Sequence, residues 1–117
     1  MEIIKADRGP LIHIHYIERT VHGNGIAIKV YGEMKIAAKE IVYARELKLN
    51  TIEVLQLTPL TGAHRGYFAN TYIHNKGEYD NYASVDIFDY AGNEITAGSP
   101  YAPEDGSIWL NVCALGE

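Results

Sequence analysis

Apolar and polar residues alternate with a period of two through most of this chain, and the last stretch shows it most plainly. There Ile108, Leu110, Val112 and Ala114 interleave with Ser107, Trp109, Asn111 and Cys113. Successive side chains of a strand point to opposite faces, so this spacing predicts a strand with one face inward. The region 82–115 reads as three strands: residues 84–90, a short run around Ile95, and 108–114. The corners fall at Ala91-Gly92-Asn93 and Asp105-Gly106, where glycine supplies the positive φ that a tight reversal needs.

The same reading extends back to the N-terminus. Residues 2–6 form an edge strand or an arm, broken by Arg8-Gly9-Pro10. Residues 11–17 form a strand with Ile12, Ile14 and Tyr16 on one face and Leu11, His13, His15 and Ile17 on the other. Both faces are apolar enough that the strand is either covered on both sides or borders another subunit. His22-Gly23-Asn24-Gly25 is a hairpin turn, and its return strand, 26–31, places Ile26, Ile28 and Val30 inward and ends at Gly32.

Residues 33–50 read two ways. Met34, Ala37, Ile41, Ala44 and Leu47 recur at helical spacing, whereas Ile41-Val42-Tyr43 favours a strand. The expectation is a short helix within 37–47. Residues 51–57 follow as a strand with Ile52 and Val54 opposed to Leu55 and Leu57. Residues 66–73 place Phe68 and Tyr72 on one face and Tyr67, Ala69 and Ile73 on the other, and 75–81 is a polar loop. The whole predicts one mainly β domain over residues 1–117. It is an antiparallel β-sandwich or jelly-roll-like barrel of about seven strands with one short helix.

Charge and composition narrow the function classes. A net charge of -5 without a basic stripe argues against nucleic acid as a partner. No apolar run approaches the roughly 20 residues of a membrane helix, and the N-terminus lacks the regions of a signal peptide, so synthesis in a cytoplasm is expected. One cysteine, Cys113, leaves no internal disulfide framework. Nine tyrosines against two phenylalanines suit half-wet contact surfaces.

Candidate chemistry is sparse. His13 and His15 alternate on one strand face, with Glu18 three residues on, and imidazole nitrogen suits zinc, iron, nickel or copper. With Pro59-Leu60-Thr61-Gly62-Ala63-His64 and Asn70 downstream, this order resembles the two motifs of cupins, which implies His13, His15 and His64 around a metal. The spacing departs from that pattern, because a period of two puts Glu18 on the face opposite His15, and His64 follows Gly62 closely. The competing reading makes His13 and His15 interface residues, and no metal or other cofactor is assigned. Asp80, Asp86, Asp89, Glu104 and Asp105 lack the ladder of a calcium loop and read as turn formers on a solvated face. Cys113 has no basic neighbour in sequence and reads as a small packed side chain. No nucleophile elbow, phosphate loop or Cys-x-x-Cys is present, and no carboxylate pair stands out among fifteen acidic residues. Tyr67, Tyr72, Tyr79, Tyr82, Tyr90, Tyr101 and Trp109 make the second half aromatic, which serves a sugar platform or a protein interface.

A resemblance adds a biological setting. The run Ala37-Ala38-Lys39-Glu40, then residues 45–54, then Thr58-Pro59-Leu60-Thr61-Gly62 is similar to a pattern in small β-rich proteins of tailed bacteriophages. In that pattern a short element leads into a strand and then a Pro/Gly turn; Lys48 replaces its glycine. Residues 85–95 resemble a hairpin found in many jelly-roll and immunoglobulin-like domains. The resemblance implies a non-enzymatic virion structural protein: a capsid decoration, minor capsid or tail component, placed in the virion after synthesis in the host cytoplasm. Its expected partners are further copies of itself, as a homo-oligomer, and a capsid or tail shell protein. The expected interface residues are Leu11, His13, His15, Ile17, Tyr67, Tyr72, Tyr82, Tyr90 and Trp109. The alternatives are a carbohydrate-binding module, in which Trp109 and exposed tyrosines stack on a glycan, and a cupin-like metalloenzyme.

Overall fold

The computed structural model describes residues 10–23, 25–60, 66–96 and 106–117. Seven strands follow in order: β1 (Leu11–His22), β2 (Gly25–Ala37), β3 (Ile41–Tyr43), β4 (Ile52–Pro59), β5 (Tyr67–His74), β6 (Tyr82–Asp89) and β7 (Ser107–Gly116). A single 3-10 turn, Ala44–Leu47, separates β3 from β4. The strands make two antiparallel sheets, one of order β1-β2-β7-β4 and one of order β3-β6-β5. The architecture is sandwich-like, and the described strands do not close into a barrel. The expected strand at residues 2–6 and the corner residue Asp105 lie outside the described residues, and the run around Ile95 is a single bridge from Glu94 to Phe88.

The core joins residues that the alternation placed inward to Met34, Ile36 and Val42, which the extension of β2 and the strand β3 bring in. Ile28, Val30, Met34 and Ile36 of β2 meet Ile108, Leu110, Val112 and Ala114 of β7, and all are buried. From the second sheet Val42, Ala83, Val85, Ile87 and Tyr67 close over them. Each fully buried Ile or Leu contributes about 1.5–3 kcal/mol relative to exposure, so these rows hold the layers together.

Two β-bulges correct the period-two reading. In β1 the register against β2 shifts between Ile14 and Tyr16. Ile12 and Ile14 face the core, but beyond the extra residue it is Ile17, opposite Val30, that faces inward, and Tyr16 pairs with Tyr31 on the outer face. Glu18, opposite Lys29, therefore lies on the same face as His13, not the opposite one. In β4 the shift between Ile52 and Val54 puts Ile52, Leu55 and Leu57 inside and Val54 outside. A strand that reads as apolar on both faces is thus a one-sided strand with an extra residue.

The return strand β2 does not stop at Gly32. It runs on to Ala37, and a Cβ at Gly32 would run into the His13 carbonyl oxygen, so glycine there permits the close approach at the bulge. The helical expectation for 37–47 shrinks to the 3-10 turn. Residues 41–43 pair with β6 instead, and Lys48 in the left-handed region (φ 63°) ends the turn, its N–H donating to the Arg45 carbonyl at 3.1 Å. The β-branched pair Ile41-Val42 wins because Val42 gains complete burial opposite Ala83.

The layers are tied at two further places. Asn81, buried just before β6, accepts the Ile52 N–H at 2.7 Å through Oδ1 and donates to the Ile52 carbonyl at 3.0 Å through Nδ2. On the same flank Thr71 Oγ1 of β5 donates to the Leu55 carbonyl of β4 at 2.6 Å, so the outer edge of β4 runs beside β5. The opposite flank is different: among the described residues β1 pairs only with β2, and the strand in the matching place in the second sheet, β3, is three residues long.

Candidate functional site

Three surfaces carry the residues singled out from the sequence. The first is the outer face of the four-stranded sheet. His13 and Trp109 lie 5.1 Å apart between ring centroids, and Tyr16 stacks on Tyr31 at 5.9 Å. His15 Nε2 is 3.7 Å from Glu33 Oε1. Between these pairs lies a shallow hollow lined by His15, Tyr31, Gln56, Thr58, Asn111 and Cys113. The Cys113 thiol is half-buried there, on the outer side of β7.

The second surface is the outer face of the three-stranded sheet, which holds two groups of rings. The Arg45 guanidinium sits 4.4 Å over the Tyr43 ring, and Tyr43 meets Tyr82 at 5.6 Å. Tyr82 stacks on His74 at 4.6 Å with planes 11° apart, and Tyr72 meets His74 edge-on at 4.7 Å. His74 Nε2 and Ser84 Oγ are 2.9 Å apart, and Arg45 is paired with Asp80. At the other end Phe68 lies against Phe88 and stacks on Tyr90 at 5.8 Å. Tyr72 and Tyr90 are the most exposed of these rings.

The third surface is the β1–β2 hairpin. Leu11 and Tyr16 are exposed on the outer face, and Ile17, Val21 and Ile26 are exposed on the core side of the sheet. Val21 and Ile26 lie past β7, whose pairing with β2 starts at Ile28, while Ile17, opposite Val30, is half-exposed because β1 is the edge strand. Among the described residues no strand pairs with the free side of β1.

The sequence-picked residues therefore divide. His13, His15 and Trp109 share the first surface, Tyr72, Tyr82 and Tyr90 the second, and Leu11 and Ile17 line the hairpin. Tyr67 is separate: it is buried between the sheets, and burial pushes its hydroxyl pKa up. Tyr79 is exposed on the loop before β6. His64, Tyr101, Glu104 and Asp105 lie outside the described residues. Among the described residues no three His, Cys, Asp or Glu side chains gather as a metal site would require, and no helix is long and apolar enough to cross a membrane. Asp86 is exposed on β6, and Asp89 holds a turn, its Oδ1 accepting the N–H groups of Ala91 and Asn93 at 2.9 Å each. Sequence reasoning missed His74, the centre of the first group of rings. Its signal was available, since His74 shares its strand face with Tyr72 by the period of two.

No known protein family, curated protein or solved structure matches the chain.

Proposed function

We propose that this protein is a non-enzymatic structural protein that works through contacts with further copies of itself and with a shell, as a capsid decoration, minor capsid or tail component of a virion. The observation that carries the reading is the turn end of the β1–β2 hairpin, where Ile17, Val21 and Ile26 are exposed on one face of the sheet, with Val21 opposite Ile26. Apolar side chains grouped and exposed in this way mark a contact surface on a folded protein. The edge of β1, which has no strand partner among the described residues, supports the same reading, because such edges are usually paired or blunted. The rings of the second sheet supply a further surface rich in tyrosine, a residue type that interfaces favour. The phage-like sequence pattern supplies the virion setting.

Light scattering coupled to size exclusion tests the assembly part, and peptide mass spectrometry of purified particles from the source tests the virion part. Oligomers and particle-borne peptides are expected. A strict monomer that is missing from particles overturns the proposal.

A further inference from the structure

The edge of β1, which has no strand partner among the described residues, has a self-complementary order of side chains. In a two-fold antiparallel pairing about an axis normal to the sheet, opposed residues must lie on the same face, because a slip by one turns every side chain over. On β1 the outer residues are Leu11, His13, His15, Tyr16, Glu18 and Thr20. The inner ones are Ile12, Ile14, Ile17 and Arg19. The bulge puts His15 and Tyr16 side by side on the outer face, so the strand has opposite phase on its two sides.

One register alone matches faces along residues 11–20, with the axis between His15 and Tyr16. It opposes Leu11 to Thr20, Ile12 to Arg19, His13 to Glu18, Ile14 to Ile17, and His15 to Tyr16. Moving the axis to Glu18 or Arg19 leaves a shorter matched stretch and sets Glu18 against Glu18 or Arg19 against Arg19, and like charges directly opposed destabilise a strand pair. The face-matched register brings His13 to Glu18 twice and covers the exposed Ile17 with Ile14 of the second copy.

We propose that two copies of this chain pair antiparallel through β1, with the two-fold axis between His15 and Tyr16, and join their four-stranded sheets into one of eight strands. This rests on the assembly reading above and names its first partner as a second copy. The pairing is β-augmentation, in which main-chain hydrogen bonds supply affinity and alternate side chains supply register.

Cross-linking tests the register. In a Cys113→Ser background, His13→Cys and Glu18→Cys are combined in one chain. Within one strand the two positions are about 17 Å apart at about 3.4 Å per residue, so they cannot bond to each other. Across an antiparallel pair the Cα atoms come within about 4.5–5.5 Å, inside the disulfide range. Oxidation is expected to give a covalent dimer with the double variant and none with either single variant. Ile17→Glu, at a half-exposed position that the monomer tolerates, is expected to shift the chain to monomer with its melting temperature retained. A particle or oligomer that survives Ile17→Glu, together with no cross-link in the double variant, overturns the β1 pairing and leaves the assembly reading standing. A chain that is monomeric at every concentration overturns both.

Discussion

At the scale of single residues, Asn81 carries more than its place in a polar loop suggests. Its side-chain amide pairs with both backbone groups of Ile52, as a neighbouring strand would, and it is buried while doing so. Asn81→Ala leaves a buried donor and a buried acceptor without partners, each worth about 1–3 kcal/mol. The expected result is a loss of about 3 kcal/mol in urea unfolding, and a loss under 1 kcal/mol counts against the lock. A single sequence does not mark this residue, because an asparagine in a loop looks the same whether it faces solvent or the core. Asp89 is the opposite case, since an aspartate shortly before Ala91-Gly92-Asn93 reads directly as a turn former. Its carboxyl is held below the usual carboxylate range, chiefly by the Asn93 backbone N–H and also by those of Ala91 and Gly92. The folded value is depressed, so the turn's contribution is fully present above the ordinary value of about 3.9 and is lost as pH falls through the lower one. Carboxyl-carbon NMR is expected to give Asp89 a midpoint below that of an unstructured aspartate, and an ordinary midpoint overturns the assignment.

At the scale of elements, the strands that follow a clean alternation were legible and the bulged ones were legible only in part. β7 and β5 have the predicted faces because nothing interrupts their phase. β1 and β4 each carry one extra residue, and a single sequence offers no signal that separates a bulge from a strand apolar on both sides. The same physics gives a prediction. In β4 the inner set is Ile52, Leu55 and Leu57, so removing Glu53 restores a strict alternation, whereas removing Gln56 drives Leu57 outward. Deletion of Glu53 is expected to leave a folded protein with a modestly lower urea midpoint, and deletion of Gln56 to abolish cooperative unfolding. Equal damage from both would mean that the bulge residue is not surplus to the pairing. In the segment 37–47 the helical part is only the 3-10 turn Ala44–Leu47 for a related reason: tertiary pairing of residues 41–43 with β6 outweighed a helical spacing that only a few residues supported.

At the scale of the molecule, the sandwich is fastened on one flank and open on the other. Thr71 and Asn81 tie the second sheet to β4, while β1 faces β3 across a gap in strand length. Thr71→Val keeps the shape of the side chain and removes the hydroxyl donor, an expected cost of about 1 kcal/mol. The loss should show as faster amide exchange in β5 before β7. Uniform acceleration across both sheets would show that this flank is not a separate opening unit. The sequence pointed to contact surfaces through its tyrosines and its greasy first strand. It could not show that Tyr72 and Trp109 belong to opposite outer faces, since that follows from which sheet each strand joins.

The fastening of β4 against β5 also sets a limit on growth. A sheet with two bare margins invites stacking without end, one subunit after another into a filament. Among the described residues only the β1 margin of the larger sheet is bare, so the lateral joining proposed above would exhaust itself after a single union and yield a finite, closed unit.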